Sequence, residues 1–527
     1  MTALKLLASM SVLVAVHALP QHKKQSSLTW QPCPELNQNI TLLNGVGGAT
    51  FDCAHLKVPL DYTNSSSVPL QLNLFKVNAT QEPKLGSVLV NFGGPGGTGA
   101  QNLPVWAAQM AANIGPQWDL VSWDPRGTGQ TIPFDCGVSP AELLEDLVNS
   151  THKRGEPKVA GGNLTDFFLD VGWGLAGAQA DACYDTMRET GQYIGTAFTA
   201  RDMINIVDSL DEDGLLRYYG WSYGTVLGAY TAAMFPERID RMVLDGNLDP
   251  EDYRAGHYGD FARDADKTFN AFLQECFDNK PKCALAQYTN ATCVDDLFDS
   301  VNTFLGSLDT ADYYSESFTQ ASLLLSSIYS SLYVPRTWPA LGDLIVSYLN
   351  GTATSDASSS PPQNTTVEPY DLGAPWSVFG IRAGDALWRI DNAEEYLPRV
   401  EYQQNVSSFS LTYQGIWPSA RWRIDAKERF TGSFQGVKTR HEILFVNGEY
   451  DPVTPLAQAY RSSAGFEGSV VLPHSGYGHG VVVSPSACVA GHVRAYFKEG
   501  VLPQKGSHCE PDGGPFDAPP AADAKLK

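Results

Sequence analysis

Two kinds of hydrophobic pattern alternate along this chain. FDCAHLKVPLDY (51–62) and VPLQLNLFKVNA (68–79) switch between apolar and polar positions, with TNSSS (63–67) between them. A period of two bounded by a polar turn predicts two antiparallel strands with one buried face. Short apolar runs follow, most of them closed by glycine or aspartate: SVLVNFGG (87–94), DLVSWDPRG (119–127), LLRYYGWS (215–222), RMVLDGNLD (241–249), EILFVNGEYD (442–451) and GSVVLPHSG (468–476). Runs of this kind fit parallel strands covered on both faces. Helical periodicity fills the intervals, in NLPVWAAQMAANIG (102–115), ARDMINIVDSLDED (200–213), TVLGAYTAAMFPERI (225–239) and SACVAGHVRAYFKEG (486–500). Strand and helix alternate, so the expected core is an α/β fold with a mostly parallel twisted sheet flanked by helices.

One long interval breaks the rhythm. Residues 251–440 contain helical segments such as ADKTFNAFLQECF and ALGDLIVSYLNG, a low-complexity stretch TATSDASSSPPQNTT, and no clear strand alternation. They are expected to form a large, mainly helical cap inserted between a first core segment, 30–250, and a second, 441–509. The last residues, 510–527, are rich in Pro, Gly, Ala and Asp and read as a disordered tail.

At the N-terminus the pattern changes the picture again. Lys5, the short apolar run LLASMSVLVAV and the small-residue site Val16-His17-Ala18 read as a signal peptide over 1–18, predicting a secreted, extracellular protein. Nine cysteines accord with an oxidising compartment. Their clustering suggests the pairs 33–53, 136–183 and 488–509, and one further pair among Cys276, Cys283 and Cys293. Nine sequons, among them Asn64, Asn78 and Asn364, predict a glycosylated surface. A formal net charge of −22 over 527 residues argues against nucleic acid or an anionic membrane as partner. The sequence assigns no oligomeric state.

Candidate chemistry begins with Gly220-Trp221-Ser222-Tyr223-Gly224. The G-x-S-x-G pattern alone is weak in a glycine-rich chain, but here its first glycine closes an apolar strand and its last opens an apolar helix. That strand–turn–helix setting is what a nucleophile elbow requires, and it makes Ser222 the candidate nucleophile. An acyl-transfer site also needs donors for the developing oxyanion. The glycine-rich stretch NFGGPGG (91–97) follows an earlier strand, and the backbone N–H groups of Gly94 and Tyr223 are the candidates. It lacks the endings of a phosphate-binding loop. The acid and base fall near the C-terminus: Asp451 ends one strand and His479 follows the next, in the order Ser…Asp…His. His474 is a rival base and Asp245 a rival acid. No H-E-x-x-H spacing and no nucleotide fingerprint occurs, so no cofactor and no metal are expected.

These motifs, NFGGPGGTG (91–99), WDPRGTGQT (123–131), GWSYGTVLG (220–228), NGEYDPVTP (447–455) and GYGHG (476–480), resemble those of secreted α/β-hydrolases of the tripeptidyl- and prolyl-aminopeptidase-like serine peptidase family, as does the Cys488…Cys509 ending. The resemblance implies an α/β-hydrolase fold, a catalytic set of Ser222, Asp451 and His479, and release of short N-terminal fragments from peptides. Ala383 and Gln414 stand where that family often carries a cysteine pair. An exopeptidase that holds a free amine needs carboxylates near its cleft; Asp385 and Glu449 are the candidate substrate-binding residues, with Glu394 and Glu395 behind them. The expected partner is a peptide. A carboxylesterase or lipase-like enzyme acting on esters uses the same triad and stays open as the alternative.

Overall fold

The computed structural model describes residues 28–33, 36, 50–139, 142–143, 164–308, 316–353 and 375–517. The expected signal peptide and the low-complexity stretch around Asn364 lie outside them.

Among the described residues nine strands form one sheet: β1 (Gln31–Pro32), β2 (Phe51–Pro59), β3 (Pro69–Val77), β4 (Gly86–Asn91), β5 (Trp118–Trp123), β6 (Leu216–Trp221), β7 (Ile239–Asp245), β8 (Leu444–Tyr450) and β9 (Val470–Tyr477). Their spatial order is β1-β2-β3-β5-β4-β6-β7-β8-β9. The pairs among β1, β2, β3 and β5 are antiparallel, and every pair from β5 through β4 to β9 is parallel.

The apolar runs sort residue by residue onto two cores. Val88, Val90, Tyr219, Trp221, Val243, Leu444 and Val446 face one core, where the helices Gly99–Ile114 and Ala487–Glu499 add Leu103, Trp106, Met110, Val493 and Tyr496. The alternate residues Leu89, Tyr218, Leu244 and Phe445 face the other core, covered by Met203 and Ile206 of helix Thr196–Ser209 and Val226 and Leu227 of helix Tyr223–Met234. A strand with both faces covered has no polar side, and its unbroken hydrophobic pattern follows.

Between β7 and β8 the described residues hold helices and no strand, the main ones being Ala265–Asp278, Val294–Ser307, Glu316–Leu332, Trp338–Leu349, Pro375–Asp385 and Ala393–Val406. This layer does not come from one stretch of chain. Leu164, Phe167, Phe168 and Val171, expected within the first core segment, pack instead with Tyr396, Val400 and Trp417 in a separate cluster. The rings of Phe168 and Trp417 stand edge to face at 5.0 Å. Residues 164–171 carry too many large apolar groups to lie on a solvated surface, and the cap is where those groups are buried.

The tail is also corrected in part. Residues 510–517 are not free of the core: Phe516 is 4% exposed, its carbonyl accepts from Lys282 Nζ at 2.8 Å, and Asp512 accepts from the Ala487 amide at the start of the last helix. One aromatic anchor and one helix cap outweigh the Pro/Gly composition there. Residues 518–527 lie outside the described part.

Four disulfides staple the fold: Cys33–Cys53, Cys136–Cys183, Cys276–Cys283 and Cys488–Cys509. Cys293 is free and exposed.

Candidate active site

Ser222 occupies the sharp turn between β6 and helix Tyr223–Met234, with φ 59° and ψ −126°. A non-glycine residue in that region is strained, and the surroundings hold it there. Its amide donates to the Asp245 carbonyl at 3.0 Å, and its carbonyl accepts from the Thr225 amide at 2.8 Å. Strand and helix crowd at this point: a Cβ on Gly220 would stand 2.3 Å from the Gly224 carbonyl oxygen. The flanking glycines of the motif are therefore steric necessities of the elbow.

The glycine-rich stretch packs directly on this turn. Gly93 has φ +85°, and a Cβ there would meet the Trp221 carbonyl oxygen at 2.6 Å, Ser222 Cβ at 2.7 Å and the Tyr223 amide nitrogen at 2.9 Å. The Gly93 N–H is engaged, donating to Asn91 Oδ1 at 3.0 Å, whereas no hydrogen bond among the described residues uses the N–H of Gly94. Tyr223 opens its helix, so its N–H is among those with no acceptor within the helix.

Asp451 directly follows β8 and is wholly buried. Four donors hold its carboxylate: the amides of Val453 (2.9 Å) and Thr454 (2.8 Å) on Oδ1, and Thr454 Oγ1 (2.7 Å) and the Gly480 amide (2.8 Å) on Oδ2. His479 Nδ1 lies 3.1 Å from each carboxylate oxygen. The histidine is fixed at its backbone as well, its amide donating to the Tyr333 carbonyl at 2.9 Å and its carbonyl accepting from Trp221 Nε1 at 3.1 Å. The last bond ties the histidine loop to the residue immediately before Ser222. No direct hydrogen bond joins Ser222 to His479 among the described residues; such contacts commonly tighten only when substrate is bound.

Neither rival group is hydrogen-bonded to Asp451 or His479 among the described residues, although Asp245 lies near both. Asp245 accepts from the Val481 amide and the Tyr219 hydroxyl, each at 2.8 Å, and burial pushes its pKa up to about 6. His474 is wholly buried with Nδ1 accepting from the Gly476 amide, and burial pulls its pKa down to about 4.

The two expected substrate carboxylates are placed differently from the expectation. Asp385 is 3% exposed and faces inward: Oδ1 accepts from the Thr196 amide at 2.9 Å, and Oδ2 from Thr196 Oγ1 at 2.5 Å and Tyr253 OH at 2.9 Å. Thr196 Oγ1 is in turn 2.6 Å from Tyr223 OH. Its donors already satisfy both oxygens, so Asp385 braces the side chain of Tyr223 and does not offer a free carboxylate; burial raises its pKa to about 6. Glu449, at the end of β8, pairs with His508 Nε2 at 3.2 Å on a part-exposed face. Glu395 helps line a cavity of 510 Å³ with Asp252, Asp260, Trp388, Tyr402 and Arg461. In that cavity burial, with Asp249 and Asp260 nearby, pushes Asp252 up to about 6.

Sequence reasoning did not single out Thr454, Thr196, Tyr333 or Arg382 around this site. Thr454, three residues after Asp451, had a local signal, since a hydroxyl at that offset readily closes on an aspartate at a strand end. The other three are brought in from distant segments.

A strand order with a reversed β5-β4 step, a strained serine elbow after the central strand β6, and an Asp–His pair just past the ends of β8 and β9 define an α/β-hydrolase. Comparison with known proteins agrees: residues 86–296 match the model of the alpha/beta hydrolase fold, and residues 413–509 match that of the TAP-like protein. The tripeptidyl aminopeptidase of Streptomyces coelicolor is 26% identical over 497 residues, 88% of this chain and 84% of that protein. The serine protease Hip1 of Mycobacterium tuberculosis is 25% identical over 538 residues, 96% and 95% of the two chains. A carboxylesterase B of M. tuberculosis is 25% identical over 507 residues, 92% and 90%. The protein is a serine hydrolase of the α/β-hydrolase fold, similar over most of its length to proteins named tripeptidyl aminopeptidase and serine protease.

Proposed function

We propose that the protein is an exported serine exopeptidase that releases short N-terminal fragments from peptides, with Ser222 as nucleophile, His479 as base and Asp451 as the acid that orients it. The observation that carries this reading is the Asp451–His479 pair, locked by four further donors on the carboxylate and tied through Trp221 to the Ser222 elbow. His479 takes the Ser222 proton as Oγ attacks the scissile carbonyl. The N–H groups of Tyr223 and Gly94 receive the oxyanion, and His479 passes the proton to the leaving amine. Water then cleaves the acyl-enzyme by the same path in reverse. With its acceptors on Nδ1, His479 keeps Nε2 for the serine.

The peptidase reading draws on the relatives named tripeptidyl aminopeptidase and serine protease. Export draws on the N-terminal pattern and the four disulfides, which persist in oxidising compartments. Among the described residues no helix is long and apolar enough to cross a membrane. The esterase alternative has one supporting observation, the relative named carboxylesterase B. Aminoacyl- and tripeptidyl-nitroanilides assayed beside short acyl esters separate the two, with the Ser222→Ala protein as control. Cleavage of tripeptidyl substrates lost in that variant is expected; turnover of esters alone removes the peptidase reading. A fluorophosphonate that leaves Ser222 unlabelled in the folded protein removes both.

A further inference from the structure

Helix Pro375–Asp385 brings two opposite charges, three residues apart, toward the elbow. Asp385 is satisfied by Thr196 and Tyr253. Arg382 is not satisfied in the same way. Its Nη2 donates to the Gly94 carbonyl at 3.3 Å, on the glycine-rich stretch that touches Ser222, and its guanidinium lies 5.3 Å from the ring centre of Tyr258. Its charge also acts on the hydroxyl of Tyr333, whose ring packs on His479 at 5.3 Å. The cation thus sits against the candidate oxyanion stretch, in electrostatic reach of a tyrosine that packs on the candidate base.

Among the described residues, Arg382 belongs with Arg336, Arg399 and Arg421 in holding no carboxylate. Arg126, Arg201, Arg238 and Arg461 each hold a carboxylate, as expected where 58 acidic residues outnumber 36 basic ones. Among the described residues no carboxylate lies within 4 Å of Arg382. Its Nε is buried without a hydrogen-bond partner, and so is the hydroxyl of Tyr258, a residue 3% exposed and held at φ 48°. Buried polar atoms left unpaired are costly, and both groups here offer protons. What satisfies them is an acceptor, and the planar fork of a guanidinium suits a carboxylate better than any other group a peptide carries.

We propose that Arg382, with the Tyr258 hydroxyl, is a specificity-determining residue that receives a carboxylate of the substrate close to the scissile bond. This rests on the reading of Ser222 as nucleophile. Two sources carry that chemistry in a peptide: the α-carboxylate of a short chain and an acidic side chain.

Calorimetry on the Ser222→Ala protein tests carboxylate recognition by Arg382 without using the reaction, while fluorophosphonate labelling of the wild type tests the nucleophile separately. One arm compares the peptide Ala-Pro-Ala-Ala as free acid and as C-terminal amide. The second compares Ala-Pro-Ala-Glu amide with Ala-Pro-Ala-Gln amide. In one arm the acid is expected to bind about tenfold more tightly than its neutral partner, and the arm that responds names the source. The preference should vanish in Arg382→Gln, survive in part in Arg382→Lys and shrink in Tyr258→Phe. Equal binding of acid and neutral peptides in both arms overturns the proposal. So does an Arg382→Gln protein in which acid and neutral binding weaken alike, since that is the signature of a residue that only props the Gly94 stretch. If Arg382→Gln does not fold, the Lys and Phe variants decide by the same comparison.

Discussion

Gly93 lies so close to Ser222 that a Cβ on the glycine would stand 2.7 Å from the Cβ of the serine. The contact also reaches the Tyr223 amide, so one position controls the nucleophile and a candidate oxyanion donor. Gly93→Ala is therefore expected to lower kcat at least about 100-fold, the scale for loss of one oxyanion donor, and to slow fluorophosphonate labelling. Wild-type turnover in that variant contradicts the placement of the oxyanion site.

The two aspartates near the base separate by mutation. Asp451→Asn puts an NH2 group in place of one of the two oxygens facing His479 Nδ1 and removes the charge that stabilises the imidazolium, so it should upset the His479 tautomer and cost about 10⁴-fold in kcat. Asp245→Asn keeps an acceptor for the Val481 amide and should change kcat by no more than a few-fold. The reverse ranking would move the acid to Asp245.

Asp245 also makes a stability prediction. Its pKa is raised from 3.8 to about 6, so the folded state prefers it protonated. The stability it contributes is complete below pH 3.8 and is lost as pH rises through about 6. Asp245→Asn cannot ionise. Its stability relative to wild type should therefore rise between pH 4 and pH 7 by up to about 3 kcal/mol. Denaturant melts at the two pH values measure this; a constant difference contradicts it.

The buried ion pair Arg126–Asp202 explains the Asp-Pro-Arg-Gly stretch after β5. Arg126 Nε meets Asp202 Oδ2 at 2.7 Å, and its other nitrogens donate to the carbonyls of Pro59 and Leu60 at 2.6 Å each. Asp202→Ala strands that charge without solvent and should cost about 3–5 kcal/mol. Unfolding in urea reads the loss.

Unreduced protein should take up one equivalent of iodoacetamide, at Cys293, as seen by peptide mass spectrometry. Removing Cys136–Cys183, which closes a loop of sequence separation 47, should cost about 4 kcal/mol in the loop-entropy view. Alkylation of Cys276 or Cys283 without reductant contradicts the pairing.

The legible parts of this protein share one property: their signals are local. An apolar run in the interior of the sheet stays apolar because helices cover both faces, so β4, β6, β7 and β8 announce themselves, and the elbow needs its two glycines within five residues. Asp451 and His479 could be named because each follows such a strand. The expectation for Asp385 failed for the opposite reason. Its charge and its place in the cap were visible, but the donors that occupy it, Thr196 and Tyr253, lie 189 and 132 residues away. Residues 164–171 were likewise assigned to the wrong layer because nothing nearby in the chain tells which distant aromatics receive them. The strand pattern, the elbow and the cysteine clusters were thus determined by the sequence itself. Which cap residues face the site, and which of its charges are already spoken for, was decided only by folding, because a buried polar group takes its role from whichever remote partner satisfies it.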